Sequence, residues 1–108
     1  MTQAERMEFA NRLLSEAMDT LIAKGNAYAG KKNDVLANFK RNADRLDLTK
    51  YQIWATYFNK HIDSVNNAIA ENPEMPVDSA ESIHGRVIDI INYAIILECL
   101  IKEDEAKK

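Results

Sequence analysis

The stretch from Val87 to Ile101 constrains the fold most, because a helix formed by it would be apolar on nearly every side. Such a helix has to be buried in a helical bundle or between subunits. Polar groups that interrupt it then need hydrogen-bonding partners in the interior. At 100° per residue, five positions at and before this stretch share about a third of the helix circumference. They are Glu81, Gly85, Asp89, Asn92 and Tyr93. We therefore expect these positions to line one shared cavity.

The length and charge of the chain limit its class. A chain of 108 residues suits one domain, here 1–108. Its net charge of −3 and isoelectric point near 5.4 predict no binding to duplex nucleic acid, which calls for a basic surface. The most apolar stretch is too short and too polar to span a membrane. The first residues are polar and show no secretory signal, so we expect a cytoplasmic protein, in the host cytoplasm if a phage encodes it.

Helical spacing and capping residues predict the first three helices. The apolar positions in 3–24 fit an amphipathic first helix, with Gly25 as its C-terminal stop. Asn33 or Asp34 is expected to cap a short second helix that runs through Lys40 or beyond. The sequence from Thr49 to Gln52 forms a capping box, which predicts a third helix over about 50–70.

The last helix follows a break at Pro73 and Pro76, which lack a backbone donor. Either Asp78 or Ser79 is expected to cap it, and it runs to about Lys102, with 103–108 as a charged, frayed tail. Together the segments predict an all-α, four-helix bundle-like domain with three long helices and one short helix. Excess apolar surface on the last helix predicts a homodimer or a higher oligomer.

His61 lies in the middle of the apolar stripe of the third helix, between Phe58 and Val65. A histidine there must find a hydrogen-bonding partner. One interpretation is a core histidine satisfied by a backbone carbonyl or an acidic side chain. The other pairs His61 with Asp89 or Asn92 across two packed helices, which would make a recognition site for a base or a phosphate. Lys60 is placed to reach the rim of that site.

The segment after the first helix combines Tyr28, Lys31 and Lys32 with turn-forming residues. An aromatic ring in such a loop can stack on a base while lysines neutralise phosphate. A solvated connector whose tyrosine packs on the bundle is the alternative.

Two further side-chain types bear on chemistry. Mg²⁺ sites in nucleotide hydrolases need several carboxylates on facing helices, but Glu81 and Asp89 are about 12 Å apart along an ideal helix. We therefore expect no metal ligands and no cofactor, with Mg²⁺ required only if the protein is an enzyme. Cys99, the single cysteine, is expected to be a packed thiol among leucine and isoleucine neighbours.

Three patches carry a resemblance to a known family. These are 24–28 with Asn38 and Phe39, then Lys60 within 58–61, and finally 81–93 with its Glu-Ser, Asp and Asn-Tyr elements. The chain resembles the small phage and prophage nucleotide modification-associated family, which is compared with all-α MazG-like nucleotide pyrophosphohydrolases. Asn59 and Gly85 stand where that family has acidic residues, so two potential Mg²⁺ ligands are missing. The resemblance thus implies a protein that holds a nucleotide rather than one that cleaves it.

The leading hypothesis is a nucleotide or nucleotide-like ligand bound in a polar pocket between the third and fourth helices. The expected ligand-binding residues are Tyr28, Lys31, Lys32, Lys60, His61, Glu81, Asp89, Asn92 and Tyr93. One alternative is a Mg²⁺-dependent nucleoside triphosphate pyrophosphohydrolase. Another is a protein-interaction or scaffold protein that works through an exposed helix face.

Overall fold

The computed structural model describes residues 1–29, 33–78 and 81–107. Within these ranges the chain forms four α-helices: α1 (Gln3–Tyr28), α2 (Ala37–Leu46), α3 (Lys50–Glu71) and α4 (Ile83–Glu105). The all-α class with three long helices and one short helix is thereby confirmed.

The first helix is longer than its sequence pattern predicted. Thr2 caps α1, and its hydroxyl accepts a hydrogen bond from the backbone N–H of Glu5. The helix passes through Gly25 and continues to Tyr28, so the prediction that Gly25 ends it is wrong. Glycine costs helix stability without forbidding a helix, and tertiary packing decides between the two. Here Gly25 lies against Val35 in the segment that leads to α2.

The starts of α2 and α3 differ in how they are capped. Leu36 is the N-cap residue of α2 and no described side chain makes the capping hydrogen bond, so the prediction that Asn33 or Asp34 caps this helix is wrong. Asp34 instead accepts a hydrogen bond from the backbone N–H of Leu36, just before α2 begins. The predicted capping box of α3 is confirmed: the Thr49 hydroxyl accepts from the N–H of Gln52, and the Gln52 side chain accepts from the N–H of Thr49.

The last helix begins later and ends later than expected. Ser82 caps α4 by accepting a hydrogen bond from the N–H of Gly85 at 2.9 Å, in place of Asp78; Ser79 lies outside the described residues. At the other end the helix continues to Glu105, where a frayed tail was expected. Ion pairs hold this end, because Asp104 contacts Lys50 and Glu103 contacts Lys40.

The helices pack around α4, which contacts both α3 and α1, while α2 packs on α3. The core cluster lies where α2, α3 and the C-terminal half of α4 meet; it consists of Leu36, Phe39, Ala43, Ile53 and Leu100. Trp54 links α3 to α4, since its indole N–H donates to the backbone carbonyl of Tyr93 at 2.7 Å. The pair of helices α2 and α3 therefore packs on one side of α4, and α1 packs alone on another side.

Exposed apolar side chains are concentrated on α1 instead of on the last helix. Ile95 is the one large apolar side chain of α4 that is exposed, at 38%. On α1, six are exposed: Met7, Phe9, Leu14, Met18, Ile22 and Tyr28. The radius of gyration is 16.1 Å, against about 13 Å for a compact domain of this length. The apolar surface predicted for α4 is therefore found on α1, and oligomerisation stays a prediction.

Candidate functional site

A cavity of about 380 Å³ opens where α1, α2 and α4 meet. This volume lies within the range of about 300–1,000 Å³ that is usual for small-molecule sites. His61 is the residue that α3 contributes to its lining among those described. The cavity thus differs in place from the predicted pocket, which was expected between α3 and α4 alone.

The walls of the cavity are mainly apolar. They are formed by Leu21, Ile22, Val35, Leu36, Phe39, Ile95 and Ile96. Three aromatic rings, those of Tyr28, Phe39 and Tyr93, also contribute. Burial raises the pKa of Tyr93 to about 12, with a further contribution from the negative charge of Asp89, so its hydroxyl remains protonated at neutral pH. Flat apolar surfaces of this kind suit a planar ligand.

Charged groups gather at one end of the cavity, where α1 meets α4. Asp89 is buried on α4, and its Oδ1 atom accepts a hydrogen bond from Nζ of Lys24 at 3.0 Å. The Lys24 side chain is 55% exposed, so its ammonium group keeps contact with solvent. The pair therefore presents a buried carboxylate and an accessible cation at the same place.

Asn92 lies one helical turn beyond Asp89 and is also buried. Its Nδ2 atom donates to the backbone carbonyl of Ala17 on α1 at 2.9 Å. Because that carbonyl can only accept, the amide nitrogen must face it, and this fixes the orientation of the side chain. The Oδ1 atom of Asn92 is buried and accepts no hydrogen bond from any described residue. Such an acceptor is rare in a folded protein.

His61 is buried behind this polar end. Its Nδ1 atom lies 3.6 Å from Oδ2 of Asp89 and 3.5 Å from a guanidinium nitrogen of Arg86, and its ring contacts that of Tyr93. Burial lowers the pKa of His61 below its usual value; the attraction of Asp89 opposes this shift and the repulsion of Arg86 adds to it. His61 is therefore neutral at pH 7.

Arg86 lies beside the same ring nitrogen of His61 as Asp89 does. The guanidinium is buried, and Asp78 binds its Nε atom at 2.9 Å while Glu81 binds another nitrogen at 3.2 Å. A buried cation with two carboxylate partners is strongly fixed, since breaking such a pair leaves an uncompensated charge. Arg86 thus places a fixed positive charge beside His61 and Asp89.

Five of the nine predicted ligand-binding residues line the cavity: Tyr28, His61, Asp89, Asn92 and Tyr93. The predicted approach of His61 to Asp89 is present. Lys60 and Glu81 do not join them, because both are exposed and Glu81 is paired with Arg86. Lys31 and Lys32 lie outside the described residues.

Sequence reasoning missed three side chains around the cavity. Lys24 was not predicted as a cavity residue, because the first helix was expected to end beside it. Arg86 was recognisable as a cation within the apolar face of the last helix, a signal that a buried charge requires partners. Cys99 lines the cavity wall and is exposed, so the prediction of a packed thiol is wrong.

The carboxylates near the cavity do not fit a magnesium site. Asp89 is held by Lys24, and Glu81 by Arg86. In the described parts of the chain, no three acidic, histidine or cysteine side chains come together as a cluster that fits a metal ion.

No family model matches the chain, and neither a curated protein nor a solved structure matches it. The resemblance to the nucleotide modification-associated family therefore stays a prediction from the sequence. Within the described residues, no helix combines the length and the apolar character needed to cross a membrane.

Proposed function

We propose that the protein binds a nucleoside or a nucleotide in the cavity between α1, α2 and α4. One observation carries the proposal: apolar and aromatic walls lead to a polar end formed by the buried side chains of Asp89 and Asn92 and the exposed ammonium group of Lys24. A nucleobase has the matching form, with two flat apolar faces and a polar edge. This is also the ligand class that the resemblance to the phage family implies.

The polar end argues against a purely apolar ligand. Filling the cavity with hydrocarbon would remove water from the carboxylate of Asp89, and this desolvation costs free energy. A ligand with hydrogen-bonding groups on one edge avoids this cost. Lys24 remains half-exposed at the same end, where its charge favours an anionic group such as a phosphate.

Isothermal titration calorimetry against the common nucleoside 5′-monophosphates tests the proposal. We expect saturable binding with one ligand per chain for at least one member of the panel. Asp89→Asn should weaken it by roughly tenfold or more, the loss expected when a charge-assisted hydrogen bond is removed. Asp63→Asn is the matched control, because Asp63 is exposed on α3 and does not line the cavity. Absence of binding across the whole panel would reject the proposal.

We propose in addition that two copies associate through an apolar stripe on α1, made of Met7, Leu14, Met18 and Ile22. At 100° per residue these side chains fall within about 80° of the helix circumference, and each is at least half exposed. Ile22 also lines the cavity, so a second copy on the stripe would lie beside the ligand. A cytoplasmic location accompanies this proposal, because free nucleotides are cytoplasmic metabolites.

A further inference from the structure

The cavity opens through a ring of exposed hydrophobic side chains. Among the described residues that line it, four large hydrophobic side chains are between 38% and 56% exposed, and we call them the rim: Ile22, Tyr28, Val35 and Ile95. The deeper wall differs, because Leu36 and Phe39 are buried. The rim therefore marks the mouth of the cavity. Apolar surface gathered around an opening in this way is typical of a surface that binds a partner or a ligand.

The rim continues the apolar stripe of α1. Ile22 belongs to both surfaces. Three residues later, Gly25 falls within the arc of the stripe, but it has no side chain to expose. Val35 lies over it instead, since a methyl group on Gly25 would be 3.5 Å from Cγ1 of Val35. Val35 thus extends the stripe beyond Ile22, and the exposed apolar surface runs from Met7 to the mouth of the cavity.

The stripe alone is too small for a stable interface. The usual gain from burying a large apolar side chain corresponds to about 60–120 Å² removed from water. Four side chains that are about half exposed therefore supply roughly 100–250 Å² per copy. Stable interfaces bury about 800 Å² per partner. A dimer formed through the stripe has to extend over neighbouring surface, and the rim is apolar surface that adjoins it.

The stripe and the mouth have complementary shapes. The stripe is a convex ridge on one helix, whereas the rim surrounds a concave opening. In a dimer with two-fold symmetry the same pair of surfaces meets twice, so the ridge of each copy lies against the mouth of the other. This arrangement closes on itself and does not lead to an open chain of copies.

We infer that a second copy of the chain covers the mouth of the cavity, so that the stripe of the partner copy completes the ligand site. This inference rests on the association and the nucleotide site proposed above, and it deepens both. A nucleotide in the cavity is then enclosed between two copies. Binding of the nucleotide and association of the copies favour each other as a consequence, because such coupling is reciprocal.

Cys99 reports whether the mouth is covered. It is the single cysteine of the chain, it lines the cavity and it is exposed. Its reaction with excess 5,5′-dithiobis(2-nitrobenzoic acid) gives a first-order rate constant. We expect this rate constant to fall about threefold or more as the protein concentration rises through the dimer dissociation constant, because a covered thiol reacts only after the copies separate. In Met18→Glu it should keep the value of the monomer at the same concentrations.

The outcomes separate the inference from the proposals beneath it. Dimerisation with an unchanged rate constant for Cys99 would overturn the inference and leave association through the stripe in place. A monomer at every concentration would overturn the inference together with the association, while calorimetry still decides nucleotide binding. A dimer that protects Cys99 but binds no nucleoside 5′-monophosphate would support the covered mouth and reject the nucleotide.

Charged substitutions at the rim give a second test. Val35→Glu and Ile95→Glu should each weaken dimerisation by about tenfold or more, because a carboxylate would be buried against the partner copy without a counter-charge. Leu46→Glu is the matched control, since Leu46 is exposed at the end of α2 and does not line the cavity. All three positions are exposed, so the fold should tolerate each change, and circular dichroism checks this. Dissociation constants equal to that of the unmodified protein in Val35→Glu and Ile95→Glu would contradict the inference.

Discussion

At the scale of single residues, His61 couples the protonation of the site to the stability of the fold. The ring is buried beside Asp89 and Arg86, and burial is the main cause of its lowered pKa. An exposed histidine in the unfolded chain has a pKa of about 6.5, so the unfolded chain takes up its proton first as the pH falls. Acid therefore favours unfolding until the pH has passed below the folded-state pKa, where both states are protonated.

We predict that the free energy of unfolding decreases as the pH falls from 7 towards 5, and that His61→Gln removes most of this dependence. Urea denaturation at a series of pH values measures it. The carboxylates whose pKa values are lowered, such as Asp34 and Asp104, take up protons at lower pH. The change in stability between pH 7 and 5 is therefore attributed to histidine. The chain has two histidines, so His84→Gln is the matched control: His84 is half-exposed, and its removal should preserve the dependence contributed by His61. Equal pH profiles for His61→Gln and the unmodified protein would contradict the assignment.

The positions of buried polar residues were predictable where helical periodicity alone decides them. His61 and Asp89 lie within apolar stripes, and a polar residue in such a stripe has to turn inward with its helix. The partner of Asp89 was not predictable. Lys24 reaches it from α1 across a helix crossing, and no local spacing in the sequence encodes which helices cross or at which residues.

At the scale of elements, a substitution of Gly25 tests how much this glycine weakens α1, which continues past it to Tyr28. We predict that Gly25→Ala raises the free energy of unfolding by about 0.5–1 kcal/mol, the usual cost of glycine within a helix. The added methyl group fits, because it would lie 3.5 Å from Cγ1 of Val35, an ordinary contact distance. Thermal and urea unfolding give the change.

Gly85 provides the comparison for this substitution. A methyl group there would lie 3.0 Å from Oε1 of Glu81 and 3.1 Å from Oγ of Ser82, the capping residue of α4. Crowding at the cap should cancel the gain in helix propensity, so Gly85→Ala is expected to stabilise less than Gly25→Ala or to destabilise. A loss of stability in Gly25→Ala would mean that α1 needs a flexible residue at this point.

The capping box predicts a measurable loss at the start of α3. Thr49→Ala leaves the N–H of Gln52 without its hydroxyl acceptor and should cost about 1 kcal/mol of unfolding free energy. Thr56→Ala is the same chemical change within the same helix. Its hydroxyl bonds the carbonyl of Gln52, which already belongs to the helix, so its loss should change stability by less than about 0.5 kcal/mol. Equal losses at the two positions would show that the cap does not stabilise α3.

Helix ends could be predicted from the sequence only where the capping residues lie in the same helical turn as the groups they cap. The box at Thr49 satisfies backbone donors within its own turn, and its signal is complete in four residues. The end of α4 depends instead on Lys40 and Lys50, which come from α2 and α3 and stabilise Glu103 and Asp104. Charged residues that read as a solvated tail in the sequence thereby become part of a helix that other elements hold.

At the scale of the whole molecule, the chain covers α4 from two sides and leaves α1 open. Within the described residues, α1 buries Ala17, while each side chain in the stripe of Met7, Leu14, Met18 and Ile22 is at least half exposed. Burying each half-exposed side chain contributes roughly 1 kcal/mol, which makes about 8 kcal/mol for two copies. Association costs about 4–15 kcal/mol in lost freedom, so the stripe favours a dimer whose population depends on concentration.

We therefore predict that sedimentation velocity shows a monomer–dimer equilibrium that Met18→Glu shifts towards monomer, because a carboxylate buried at the centre of the stripe would lose its hydration without a partner. Met75→Glu is the matched control, since Met75 is 69% exposed in the segment after α3, away from the stripe. A monomer at every concentration would overturn self-association and leave nucleotide binding standing. Dimerisation that Met18→Glu does not weaken would place the interface elsewhere.

Since Ile22 belongs both to the stripe and to the cavity wall, a dimer formed through α1 should also bind its ligand more tightly than the Met18→Glu monomer does.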